Sequence, residues 1–444
     1  MSAQQITNIH APSPGDIAFT IGKRLDGTQK EVVHSMKRAS NFHHALIGTS
    51  GVGKTFTIRK MAIEFAAQGV TQFILDTQGD YAHQEFLENH DLKGVRVNEI
   101  KFGYGVNTCA LNPFVIHSAD QGGYHHAVIG VLETIRLFNP SMGSRQRTLL
   151  RRLVNTAYER NGISKDDPAS WHLEPPTMKE FLAVIDDEIK AARLRVESDI
   201  FDTVNGLRKK CWTISNKREK ENSEERRQVL SQELEAEKDE LFKKLSALIE
   251  NEIQSPDRPS SSTGVISRLE SIQDMIEGVV TSGLFDGLPV TPKKGAINVL
   301  DLTDLNAIDQ QPVFYLLLER TFHSAVRTCR NLNPSVPDLM FCFDEVKLFT
   351  ALADSPLDPI NRFFTEGRKY GLGSLCGLQH AKQLTDEMRS SIGTLLVLPV
   401  AKEKMADVKR LWGISEENMT RLKPKSDAMY GFANNDFVPM KLFG

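Results

Sequence analysis

The chain has 444 residues, 40% apolar and 25% charged, with 30 glycines, 19 prolines and a formal net charge of -3. These proportions exclude collagen-like, low-complexity and disordered chains, and the near-zero charge excludes a globally basic nucleic-acid coat while permitting a local basic surface. Five scattered cysteines, with no CxxC pair and no histidine at zinc spacing, point to reduced thiols in a reducing cytosol, not to a disulfide framework or a metal cluster.

In chain order, the segment MSAQQITNIHAPSPGD lacks the apolar centre of a signal peptide, and no apolar stretch reaches 18 residues. A cytoplasmic protein without a membrane span is therefore expected. Residues 17–36 alternate weakly around a glycine turn, which predicts a short N-terminal β segment within 1–40. The run His44-Ala45-Leu46-Ile47 then leads into a glycine-rich loop and a helical pattern from about Thr55 to Ala67. Phe73-Ile74-Leu75 follows and ends in Asp76. Strand, loop, helix and strand in that order form a βαβ unit, which requires a parallel sheet covered by helices.

From about Tyr124 to Gly287 helical periodicity dominates, and an all-α insertion is expected over 121–290. Within it, 217–253 is dense in both charges, with Leu234, Leu241, Leu245, Leu248 and Ile249 as a short apolar stripe. This reads as a long amphipathic helix or hairpin, broken by SPDRPSSST. Strand-like runs return at 296–301, 339–343, 374–378 and 395–398, and a terminal hairpin is expected around Asn434, Asn435 and Asp436. The fold expectation is an α/β protein with a mostly parallel sheet. Its core would lie in two parts, 41–120 and 291–444, on either side of the insertion.

Gly48, Thr49, Ser50, Gly51, Val52, Gly53, Lys54 and Thr55 spell G-x-x-x-x-G-K-[ST]. Glycines let successive backbone N–H groups turn inward as an anion nest, and the following helix directs its positive end at the same point. Lys54 is placed to reach the β- and γ-phosphates of ATP, and the Thr55 hydroxyl to coordinate Mg²⁺. A strand before the motif and a helix after it supply the context that an idle glycine turn lacks. Asp344 and Glu345 follow the apolar run LMFCF and are the candidate metal-side carboxylate and general base. Asp76, Asp80 and Asp301 also end strand-like runs and compete for the metal role. At the C-terminal edge of the sheet, Asp76 or Asp80 is expected to line the nucleotide site without binding metal, and Asp76 is the one assigned to the nucleotide. Gln379, after SLCGL, is a candidate sensor of the γ-phosphate or attacking water. Arg368 and Lys369 are candidate cations toward a neighbouring subunit's ATP. Arg145, Arg147, Arg151 and Arg152, and the pair Lys293-Lys294, read as solvated basic faces.

Six strings occur together: GTSGVGKT at 48–55, FILDTQGDY at 73–81, LNPF at 111–114, INVLDL at 297–302, LMFCFDE at 339–345 and EGRKYGLGSLCGLQ at 366–379. In order and spacing the chain resembles the HerA–FtsK group of P-loop ATPases, specifically HerA-like DNA translocases and the related conjugative secretion ATPases. The resemblance implies a RecA-like core of the ASCE type and a hexameric ring with ATP at subunit boundaries. It implies Arg368 as arginine finger and Gln379 as sensor. Two departures stand out: Asp344-Glu345 is followed by Val346-Lys347 where relatives often carry Ala-His, and about 40 residues precede the P-loop where many relatives carry a β-barrel. The function expected is an ATP-driven motor acting on double-stranded DNA with a nuclease or other effector protein. An ATP-gated scaffold for a defence effector, or a peripheral secretion ATPase moving protein, are the alternatives.

Overall fold

The computed structural model describes residues 15–443 except 106, 117–122, 140, 255–261, 286, 330–331, 348–358 and 433–436. The expected turn at Asn434–Asp436 and the helix-breaking 255–261 stretch lie outside the described residues.

The chain divides into two compact units, one formed by 1–138 with 282–444 and the other by 139–281. The first unit opens with β1 (Ala18–Arg24), β2 (Glu31–Ser35), β3 (His43–Ile47), α1 (Lys54–Ala67), β4 (Thr71–Asp76), α2 (His83–Asn89), β5 (Val97–Lys101), β6 (Cys109–Ala110) and α3 (Gly123–Phe138). The helical unit holds α4 (Ser144–Arg160), α5 (Met178–Lys220), α6 (Glu224–Gln254) and α7 (Ser262–Thr281). The first unit resumes with β7 (Leu288–Pro289), β8 (Ile297–Asp301), α8 (Ala307–Thr328), β9 (Leu339–Phe343), α9 (Pro359–Glu366), β10 (Leu372–Leu378), β11 (Ile392–Val397), β12 (Asp427–Phe432) and β13 (Val438–Leu442).

Among the described residues, eleven strands make one sheet in the order β2-β1-β13-β12-β11-β3-β10-β9-β4-β8-β5. The seven from β11 to β5 run parallel, while β12, β13, β1 and β2 continue as antiparallel neighbours. The N-terminal β segment thus pairs with the terminal hairpin and extends the same sheet. Continuous burial explains the central strands: every residue of β3, β4, β9, β10 and β11 is inaccessible, as helices on both faces of a parallel sheet require.

One polar chain crosses this core. His44 Nδ1 faces only carbonyl oxygens, of Phe42 at 3.0 Å and Ser374 at 3.2 Å, so that nitrogen carries the proton. His44 Nε2 then accepts from His34 Nε2 at 3.3 Å, and His34 Nδ1 accepts from the Tyr430 hydroxyl at 3.0 Å. The chain joins β2, β3 and β12 with neutral imidazoles. Burial depresses all the histidines here, His44 to about 4, His43 to about 3 and His34 well below its ordinary value.

One expectation needs correction. The helical unit runs 139–281 and not 121–290, because α3 turns Val128, Val131, Leu132 and Ile135 inward and packs on α8 of the sheet unit. At its other end, β7 pairs with β6. The charged stretch 217–253, read as a long helix or a hairpin, takes the hairpin form. It covers the end of α5 and most of α6, which pack against each other and are separated at Glu221–Ser223. In the apolar stripe, Leu234 is buried and Leu241 half-buried, while the side chains of Leu245, Leu248 and Ile249 lie outside the described residues.

Candidate nucleotide site

The C-terminal edge of the parallel strands gathers the site, as the connectivity of open α/β sheets dictates. Leaving β3, the chain curls through Gly51 (φ 76°) and Gly53 (φ 106°), left-handed values that glycine adopts without steric cost. Gly48 is needed for a different reason. A Cβ there would lie 2.7 Å from Val52 Cγ2 and 3.0 Å from Leu398 Cβ, so a side chain would force the loop off β11. The Thr49 N–H donates to the Pro399 carbonyl at 3.1 Å, which fixes the loop to that strand end.

A cavity of about 730 Å³ opens over this loop. Ser50, Gly51, Val52, Gly53, Lys54, Thr55, Asp76, Asp344, Glu345 and Gln379 all line it. Gly48 and Thr49 lie behind, their carbonyls each accepting from Lys54 Nζ at 3.0 Å. Burial lowers the Lys54 ammonium from its ordinary range, and the Asp344 and Glu345 carboxylates oppose that shift. The Thr55 hydroxyl donates to Asp344 Oδ2, so the first residue pair expected at a metal is already in contact. β10 lies between β3 and β9, and Gly377 allows it to approach, because a Cβ there would run into the Asp344 backbone.

Glu345 is held from both sides. Gln379 Nε2, at the tip of β10, donates to Oε1 at 3.3 Å, and Gln78 Nε2, just past β4, donates to Oε2 at 3.1 Å. Gln379 is itself fixed by its backbone N–H, which donates to Gln383 Oε1 at 2.7 Å.

Asp76 lines the cavity, but its oxygens are turned to its own loop. Oδ1 accepts from the backbone N–H groups of Gln78, Gly79 and Asp80, and Oδ2 from that of Tyr81, at 2.7–3.2 Å. Burial raises its carboxyl above the ordinary range, with these four donors pulling the other way. Asp76 therefore shapes the 77–81 turn, with both oxygens engaged by backbone N–H groups. Asp80 borders the cavity, with its carbonyl taken by Arg59 of α1. Asp301 caps its own turn through Thr303, at 3.0 Å to the N–H and 2.6 Å to the hydroxyl.

Arg368 lies elsewhere. It sits exposed in the short turn before β10, with its guanidinium 5.9 Å from the Phe42 ring. Gln379 stands at the other end of β10, a strand of seven residues and about 20 Å. Arg368 and Lys369 are thus on the opposite edge of the sheet from their own chain's cavity.

Among the cavity residues that escaped sequence reasoning are Gln78, Arg59, Tyr81 and Lys425. Lys425 arrives through topology alone. Its backbone, at φ 61°, donates to the Val52 carbonyl at 3.0 Å, just before β12 begins. Tyr81 could have been suspected from its place in FILDTQGDY. Burial, then the Asp344 carboxylate, push its phenol well above the ordinary range, so it stays neutral.

These residues suit a magnesium nucleotide. A hydroxyl and a carboxylate are hard oxygen donors, and no group of three His, Cys, Asp or Glu forms a metal cage among the described residues. Mg²⁺ commonly takes one or two protein ligands and completes its shell with water and phosphate oxygens.

A glycine nest opening a helix, a strand-end Asp-Glu on a parallel sheet, and a glutamine at the tip of the strand between define a P-loop ATPase with a RecA-like core. The family model described as "Helicase HerA, central domain" matches residues 19–321. The chain belongs to that family, within the HerA–FtsK superfamily.

Solved structures share the fold at low sequence identity. VirB4 of Thermoanaerobacter pseudethanolicus is 14% identical, with 98% of each chain covered and a TM-score of 0.58. The bacterial conjugative coupling protein TrwBdeltaN70, in a trigonal form with sulphate, is 14% identical over 98% of this chain and 95% of that one, with a TM-score of 0.51. No match was found among curated proteins. Among the described residues, no helix is long and apolar enough to cross a membrane.

Proposed function

We propose that the chain is the subunit of a hexameric, ATP-hydrolysing ring of HerA type that moves double-stranded DNA and works with a nuclease or other effector protein. The observation that carries the reading is the convergence of Lys54, Thr55, Asp344, Glu345 and Gln379 on one cavity, while Arg368 stands exposed at the opposite sheet edge. That separation suits a cation serving the ATP of a second copy.

In this reading Lys54 and the loop N–H groups hold the β- and γ-phosphates. Thr55 and Asp344 would hold Mg²⁺, which supplies charge neutralisation on the phosphate oxygens when bound. Glu345 takes the proton of the attacking water as its oxygen bonds to the γ-phosphorus. The bond from that phosphorus to the β–γ bridging oxygen breaks, and ADP leaves with the electron pair. Gln379 exchanges its bond to Glu345 for one to the γ-phosphate or the water, and so reports the nucleotide state. Arg368 or Lys369 stabilises the transition-state charge in trans. Exposed Arg145, Arg151 and Arg152 on α4, and Lys293 and Lys294, are the local cations available to a phosphate backbone despite the near-neutral total.

A second reading has its own observation. The helical unit exposes Leu194, Phe201, Trp212 and Phe242 along α5 and α6 amid dense charge. Large exposed apolar side chains suit a docking surface, and so an ATP-gated scaffold for an effector. A peripheral secretion ATPase moving protein is the third, supported only by the shared fold. Steady-state ATPase assays with and without duplex DNA separate them. Stimulation by DNA supports the motor; a turnover indifferent to DNA removes it in favour of the other two.

A further inference from the structure

We infer that Gln78 is a positioning residue for Glu345, aimed at the carboxylate by the loop that Asp76 ties. The inference rests on the reading of Glu345 as the hydrolytic base. A carboxylate only accepts hydrogen bonds, so the Gln78 amide must present its NH₂ to Glu345, and it does so at 3.1 Å. Gln78 and Gln379 reach Glu345 from strands on either side of β9, one oxygen each. Two lone-pair positions per carboxylate are enough to fix the side chain while leaving others for a water.

The two glutamines differ in what else they can do. Gln379 stands where a γ-phosphate would compete for its amide. Gln78 instead has its backbone N–H bound to Asp76 at 3.2 Å, next to Gly79 at φ 85°, a left-handed turn. Its side chain is exposed, and an exposed amide bond contributes little stability by itself. What aims it is the loop. Four N–H groups converge on buried Asp76, and Arg59 of the P-loop helix clasps the Asp80 carbonyl. Gln78 thereby ties the base to the phosphate-binding helix through a rigid turn, and it keeps doing so when Gln379 turns to nucleotide.

The test is a double-mutant cycle read as separate kcat and KM for ATP. Gln78→Ala should lower kcat by about 10- to 100-fold, the scale of a misplaced catalytic group, with KM within about twofold. Gln78→Glu keeps the size but offers no donor to Glu345, and should lose at least as much; it carries the test if Gln78→Ala does not fold. In a Glu345→Asp background, whose shortened carboxylate has already left both amides, Gln78→Ala should cost less than about twofold further. Full multiplication of the two losses would mark a general structural defect and overturn the inference, as would wild-type kcat in both Gln78 variants. Wild-type turnover in Glu345→Gln would instead sink the underlying reading of the base, so the two failures are distinguishable.

Discussion

Replacing Asp76 by asparagine is the most informative single change at the turn over the site. Asp76 is 3% exposed and its two oxygens satisfy four backbone N–H groups. Asparagine retains one accepting oxygen, enough for the three donors at Oδ1, but sets its own NH₂ against the Tyr81 N–H. Losing one hydrogen bond to a charged acceptor costs about 1.5–3 kcal/mol. Part of that is offset, because burial already disfavours the charge of Asp76. A net destabilisation of about 1–2 kcal/mol is expected by urea unfolding. The larger effect should be kinetic, since the loop that aims Gln78 at Glu345 is loosened. We expect kcat at least about tenfold lower, while ATP affinity stays near wild type because Lys54 and the glycine nest belong to β3 and α1. Wild-type stability together with wild-type kcat would refute the reasoning. So would lost ATP affinity with kcat retained.

Three further expectations follow from particular groups. Lys54→Ala should weaken ATP binding on the order of 100-fold in a fluorescent-nucleotide titration, through loss of charge-assisted phosphate contacts. The buried histidines should make the fold acid-sensitive. Their folded values lie below the unfolded 6.5, so their contribution is full above that pH and is lost as pH falls toward about 4. His44 alone accounts for on the order of 3 kcal/mol. Glu319, pushed up to about 7 by burial, works in the opposite sense across the same range, so three histidines outweigh one carboxyl. Urea unfolding at pH 6.5 and pH 5 should show lower stability at pH 5, and a flat or rising profile would contradict the neutral histidine chain. Mixing Arg368→Ala subunits with Lys54→Ala subunits should restore part of the turnover each lacks, because some boundaries then pair an intact P-loop with an intact arginine; no restoration would argue against action in trans.

What was legible in the sequence was whatever chemistry writes in residue type. The P-loop announces itself because an anion nest demands glycines at set positions before a Lys-Thr. The central strands announce themselves because burial on both faces demands unbroken apolar runs. β5 escaped because it is an edge strand with the half-exposed sequence VNEIK, which has no such run. Asp76 was legible as a strand-end carboxylate but not in its role, since only the curl of 77–81 decides whether its oxygens meet a ligand or backbone. Gln78 lies inside FILDTQGDY, but nothing in that string says what its amide meets. Its contact with Glu345 exists because β9 lies beside β4 in the sheet, although 267 positions separate the two residues. Lys425 reaches the P-loop for the same kind of reason, by strand order and not by motif.

The central claim, that hydrolysis here drives movement along duplex DNA, is tested most directly by triplex displacement. A duplex carrying a third strand is incubated with the protein and ATP, and release of that strand is followed on a gel. Wild-type protein should release it only with ATP, and Glu345→Gln should bind nucleotide yet release nothing. Steady ATP hydrolysis by wild-type protein on the same DNA, with the third strand left in place, would contradict the account.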